Sequence, residues 1–220
     1  MVERQDDSEK RGLDGRVALT FDDGPDPVWT PRVLDALEEA GVRATFFVVA
    51  PLAERHTSLL HRVAEAGHEV SLHCARHRRH DRMTADEVFA DAGEGLRTLR
   101  RLGHDPAAWR TPWGVVTGDT VEAAATLGLR LVGWTADSED WRGNTAGEML
   151  PHLAPGVRPG AVVLMHDGVG PGALRVGCGQ TVRLLAPLVS LCRSRGFAPV
   201  PLGGLPGPVP DRNPRPVSVV

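Results

Sequence analysis

The sequence predicts an α/β fold built on a parallel sheet. Seven short apolar runs alternate with helical patterns between residues 16 and 202, the arrangement expected of strands joined by helical crossovers. Polar residues able to do chemistry recur at or just beyond the C-terminal ends of those runs, where α/β barrels build their sites. The third observation is length: 220 residues suit one domain with a sizeable core. Seven or eight such units suit a barrel, although the pattern alone does not exclude an open sheet.

The elements follow in order. The strands are RVALTF (16–21), ATFFVV (44–49), HEVSLH (68–73), AAWRT (107–111), RLVGWT (130–135), AVVLMH (161–166) and APVPL (198–202). Helical periodicity covers about 31–40, 53–66, 84–102, 118–127, 145–154 and 179–195. Thr30 before Pro31, Thr84 with Glu87 three residues on, and Thr117 supply caps or first-turn residues. Gly41 and Gly67 stand where a helix ends before the next strand. Residues 1–14 are charged and aperiodic and predict a disordered leader. Residues 15–202 form the expected catalytic domain, and 203–220, rich in Pro and Gly, predict an extended tail.

Composition narrows the function. Charged residues make up 24% and the formal net charge is −3, which gives no electrostatic reason to expect nucleic acid or an anionic membrane surface as partner. No run approaches the roughly 18 apolar residues of a membrane span. Three cysteines, Cys74, Cys178 and Cys192, have no metal-like spacing and read as reduced structural thiols. The polar N-terminus shows no secretory signal, so a cytoplasmic location is expected.

Five clusters carry the chemistry. Asp22-Asp23 closes the first strand, in a DDGP run that also reads as a plain turn. After the third strand lie His73 and His77, four apart, which one helical turn would bring to the same side. Two His, a carboxylate and an open position are a recurring catalytic zinc set. His77 with His80 is the rival pair, and His68, at the wrong end of its strand, has no metal role. The remaining clusters are WRTPWG (109–114), ADSEDWRG (136–143) and VVLMHDG (162–168).

In this order, TFDDGP (20–25), HCARH (73–77), RTPWG (110–114), DSEDW (137–141) and LMHD (164–167) resemble the polysaccharide deacetylase family, the NodB-homology or carbohydrate esterase family 4 domain. The resemblance implies a distorted (β/α) barrel of about seven parallel strands and metal-dependent hydrolysis of an N-acetyl or related acyl group. By the same resemblance Asp22 is the general base, and Asp23, His73 and His77 hold a divalent ion, expected to be Zn²⁺. His166 is then the general acid, Asp140 its orienting carboxylate and Arg110 the tether of the base. The Trp113 backbone N–H serves the oxyanion, and Trp141 and Leu164 wall the acyl pocket.

The chain departs from the family pattern at Cys74, where Ser or Thr is usual, at Arg78, where Pro is usual, and at Thr111, where a second Pro is common. Cys74 is therefore a conceivable ligand. The Gly-rich run 168–180 reads equally as a substrate loop or a long connector. The expected function is N-deacetylation of an amino sugar or similar acetamide, a small soluble one in preference to polymer. The rivals are an O-deacetylase, a deformylase or another amidohydrolase, and a silent carbohydrate-binding module.

Overall fold

The computed structural model of the chain describes residues 15–205; the predicted leader (1–14) and all but the first residues of the predicted tail lie outside them. Eight strands form one sheet: β1 (Arg16–Asp22), β2 (Thr45–Val49), β3 (Glu69–Cys74), β4 (Ala108–Trp109), β5 (Arg130–Leu131), β6 (Ala136–Asp137), β7 (Val162–His166) and β8 (Ala198–Val200). Seven run in the order β5-β4-β3-β2-β1-β7-β6, and β8 pairs with the first residues of β1. Every pairing is parallel. The expected distorted (β/α) barrel forms, curled but left unpaired between β5 and β6.

Strand parity decides which residues meet in the middle, because successive side chains point to opposite faces. Val17, Leu19 and Phe21 of β1 join the larger core cluster, together with Phe46 and Val48 of β2, Leu72 of β3, and Val163 and Met165 of β7. The alternate residues Ala18, Phe47, Val162 and Leu164 form a smaller cluster with Ala108, Val132, Trp134 and Leu202. Asp22, His73, Arg110 and His166 share the parity of this second set, so the fold itself sends them to one side.

Seven helices pack among the described residues: α1 (Trp29–Glu39), α2 (Ala50–Arg55), α3 (Thr57–Glu65), α4 (Ala85–Arg101), α5 (Gly118–Leu127), α6 (Ala146–Leu153) and α7 (Gly179–Ser194). Thr84 and Glu87 form the expected capping box, and Thr117 forms one with Thr120. Among the described residues no helix is long and apolar enough to cross a membrane.

Two expectations are corrected. The helix predicted over 53–66 is two helices, because the backbone turns out of helical geometry at His56 (φ −120°, ψ 47°); α2 also begins earlier, with Pro51 in its first turn. The strand predicted over 130–135 is interrupted. Residues 130–132 follow β4, since Val132 N–H donates to Trp109 O (2.9 Å), whereas Thr135 N–H already donates to Val162 O of β7 (2.9 Å).

The crossing between them frees carbonyls, and Arg110 takes them up. Its Nη2 donates to Gly133 O (2.9 Å) and its Nε to Val132 O (3.4 Å). Nη1 reaches Thr20 Oγ1 (2.7 Å) and Asp22 Oδ1 (2.9 Å), and the guanidinium lies 4.2 Å over the Phe47 ring. The side chain is 0% exposed and Asp22 is nearly as buried. Removing one partner of such a pair leaves a buried charge uncompensated. Arg110→Met is expected to lower urea-unfolding stability of the metal-free protein by about 3–5 kcal/mol. Adding Asp22→Asn should recover part of that loss; additive destabilisation would contradict the pairing.

Candidate active site

The site begins where β1 ends. Asp22 points inward with the parity of its strand, and Asp23 then adopts φ 75°, a left-handed conformation that Asp tolerates better than most residues. This turn sends two adjacent carboxylates to different partners. Asp22 goes to Arg110, and Asp23 goes to the imidazoles of His73 and His77.

His73 is aimed by an irregularity. The register of β2 against β3 passes from Val48–Leu72 to Val49–Cys74 and skips His73, the kind of bulge that redirects a side chain. Its freed carbonyl accepts the Trp109 indole N–H (3.0 Å), and its Nδ1 lies 2.7 Å from Arg110 O. His77 follows in a loop, not in the helical turn that the four-residue spacing suggested. Asp91 of α4 holds that loop, its carboxylate accepting Ala75 N–H (3.1 Å) and Arg76 N–H (2.7 Å). The His77 ring packs edge-on against Trp113, 4.4 Å between centroids.

The donor set fits a metal ion. A carbonyl can only accept, so His73 Nδ1 carries its proton toward Arg110 O. Its Nε2 lone pair then faces Asp23 Oδ1 at 3.4 Å, and His77 Nε2 lies 3.1 Å from the same oxygen. Asp23 Oδ1 is buried and accepts no hydrogen bond from the described residues. Two imidazole nitrogens converging on a buried carboxylate form a donor set suited to a cation. The three ligand atoms lie within 4.8 Å of one another.

Across the cavity stands His166. Its Nδ1 lies 2.7 Å from Asp140 Oδ1, and its backbone N–H donates to Asp140 Oδ2 (3.0 Å). Burial would lower this imidazole, but the Asp140 charge, with Asp23 and Asp22 beyond it, raises it to about 9. Asp140 itself would be raised by burial, yet His166, Arg175 and Thr181 hold it at about 2. The pair is therefore charged at neutral pH.

Between these groups lies a cavity of about 350 Å³, lined by Asp22, Asp23, His73, His77, His166 and the apolar walls Trp113, Trp134, Trp141 and Leu164. Arg110 and Asp140 support it from behind. The rival His80 is elsewhere: its Nδ1 meets Thr120 Oγ1 (3.0 Å) and its ring packs on Trp109. Cys74 is a buried free thiol outside the ligand group, raised well above its usual range by burial and then by Asp91. His68 accepts Ala44 N–H (3.1 Å) at the far end of β3.

Other residues of the site escaped the sequence reading. Asp137 lines the cavity and accepts Glu139 N–H (2.8 Å); burial pushes its carboxyl up to about 6. The sequence placed it in the 136–143 cluster without giving it a role. Asp91 left a usable signal, a carboxylate within the buried stripe Val88, Ala92, Leu96 and Leu99 of α4. Pro171 to Arg175 also line the cavity, so the 168–180 run is part of the site wall and not merely a connector.

The sequence model of the polysaccharide deacetylase family matches residues 9–132. A chitooligosaccharide deacetylase of Bradyrhizobium sp. (strain ANU 289) is 37% identical over 193 residues, 84% of this chain and 88% of that one. A solved peptidoglycan N-acetylglucosamine deacetylase, in complex with an N-oxidanyl-benzamide, superposes with a TM-score of 0.80 at 30% identity, covering 86% of this chain and 87% of that one. The family 4 carbohydrate esterase of Streptomyces lividans, solved with acetate, gives 0.77 at 26% identity over 85% of this chain and 92% of that one.

The ligand assignment has a direct check in zinc binding, measured by competition with a chromogenic chelator. His77→Ala should weaken it by more than about 100-fold, beyond the 10–100-fold typical of losing a supporting partner. His80→Ala should leave it unchanged. Native affinity in His77→Ala would contradict the set.

Proposed function

Because the chain belongs to the polysaccharide deacetylase family, we propose that it is a metal-dependent hydrolase that removes the acetyl group from an N-acetylated amino sugar. The observation that carries this reading is the division of labour between Asp22 and Asp23. One neighbour faces two imidazoles in a ligand set suited to zinc; the other is kept out of that set by Arg110 and remains available as a base. When bound, the ion supplies Lewis acidity to the acetyl carbonyl oxygen.

The residues of the chain perform the proton transfers. Asp22 takes a proton from the attacking water, whose oxygen forms the new bond to the acetyl carbon. Arg110 fixes Asp22 through Oδ1, which leaves Oδ2 to accept. His166, charged and held at Nδ1 by Asp140, presents Nε2 to the leaving nitrogen and gives it a proton as the C–N bond breaks. Acetate and a free amine result. The backbone N–H of Trp113, in a turn of positive φ (54°), is assigned to the oxyanion. Leu164 and Trp141 wall the pocket for the methyl group. The substrate class follows from relatives named for chitooligosaccharide and for peptidoglycan N-acetylglucosamine.

Acetate release should be measured on N-acetylglucosamine oligomers and on peptidoglycan fragments. Release from neither, with zinc bound, would contradict the reading. Asp22→Asn should keep its zinc and lose about 10²–10⁴-fold in kcat, the usual contribution of general acid–base catalysis. Near-native turnover in that variant would assign the base elsewhere.

The proton on His166 sets a pH limit. Its raised affinity keeps the acid charged through neutrality, so kcat should fall as pH rises through the alkaline range near 9. Asp140→Asn removes the charge that raises it, and the alkaline limb should move to lower pH. A limb that stays in place would dissociate it from His166.

A further inference from the structure

The segment between β7 and α7 is fixed to the site at several points. Gly168 and Gly170 lie so close to Asp23 that a Cβ at either would collide with it, which only glycine avoids. Leu174 N–H donates to Trp141 O (2.8 Å). Gly172 faces the Trp113 indole, 3.7 Å from where its Cβ would stand. Arg175 then turns inward, its side chain 6% exposed. Its Nη2 donates to Gly168 O (2.7 Å), and its Nη1 is shared between Thr181 Oγ1 (3.1 Å) and Asp140 Oδ2 (3.3 Å). Thr181 Oγ1 donates in turn to the same Asp140 oxygen (2.6 Å).

Asp140 is thus locked from both sides. Oδ1 meets the His166 ring, and Oδ2 receives the His166 backbone N–H, the Thr181 hydroxyl and Arg175. We propose that Arg175 is a positioning residue for the general acid: one guanidinium ties the Gly168–Cys178 segment to Asp140 and fixes the carboxylate orientation that holds His166. An arginine is needed because its rigid fork reaches the Gly168 carbonyl and the Asp140–Thr181 pair together, which a single ammonium cannot do with the same geometry. The segment that walls the cavity and the group that delivers the proton are then set by one side chain. The inference rests on the reading of His166 as the proton donor.

The test compares two acyl substrates of the zinc-loaded enzyme. Triacetylchitotriose leaves as an amine that needs a proton; 4-nitrophenyl acetate leaves as a stable phenolate that does not. Arg175→Met should lower kcat on the trisaccharide by about tenfold or more, a portion of the full general-acid effect, with little change on the ester and unaltered zinc affinity. Arg175→Lys should fall between wild type and Arg175→Met. Equal losses on both substrates, or no loss on either, would overturn the proposal. His166→Ala, measured alongside, should show the same split more strongly; if it shows none, the acid assignment fails. The latch is then judged by the downfield proton resonance of His166 Nδ1–H. A shifted or broadened signal in Arg175→Met supports the latch, and an unchanged one overturns it.

Discussion

A single buried guanidinium organises the centre of this barrel. Arg110 is sealed from solvent, stacked on Phe47, and bonded to Asp22, Thr20 and two carbonyls of the chain that crosses from β5 to β6. Burial favours its neutral form, and the Asp22 charge opposes that. The pair survives burial because each guanidinium nitrogen finds an acceptor, the condition under which a buried ion pair is tolerated. The same contacts do two tasks: they bridge the break in the sheet and they hold Asp22 apart from the Asp23–His73–His77 group.

The consequences run outward along β4. Arg110 O receives His73 Nδ1–H, and the neighbouring Trp109 indole bonds the His73 carbonyl. The segment that carries the partner of Asp22 thus also orients the ring of His73. A histidine whose other nitrogen is engaged in this way is oriented for ligation. On the opposite wall Asp140 plays the matching part for His166. The site is two oriented carboxylate–cation pairs facing each other across a cavity with aromatic walls.

Much of this was legible in the sequence, and for physical reasons. Period-two alternation in RVALTFD and VVLMH sends Asp22 and His166 to the same interior, and the capping box at Thr84–Glu87 marks the start of α4. The break in RLVGWT was not legible, because the donors that replace its ladder bonds belong to the side chain of Arg110, 22 and 23 positions upstream of the carbonyls it meets. Nor was the helix break at His56, since Ala53, Leu60 and Val63 stay buried across it. Around the metal loop, the usual hydroxyl at position 74 is missing, and Asp91 on a distant helix binds the loop backbone. Contacts of that sequence separation leave only a trace, here one acid in an apolar stripe. Arg175 left none, because nothing in its run of glycines marks an arginine that turns inward.

The central claim is that two adjacent carboxylates are divided, Asp23 to the ion and Asp22 to Arg110. Zinc-edge anomalous diffraction from crystals of the zinc-loaded protein tests this most directly. One peak is expected within bonding distance of an Asp23 oxygen and the Nε2 atoms of His73 and His77, with Asp22 still bonded to Arg110. A peak ligated by Asp22, or one centred on Cys74 or His80, would contradict it.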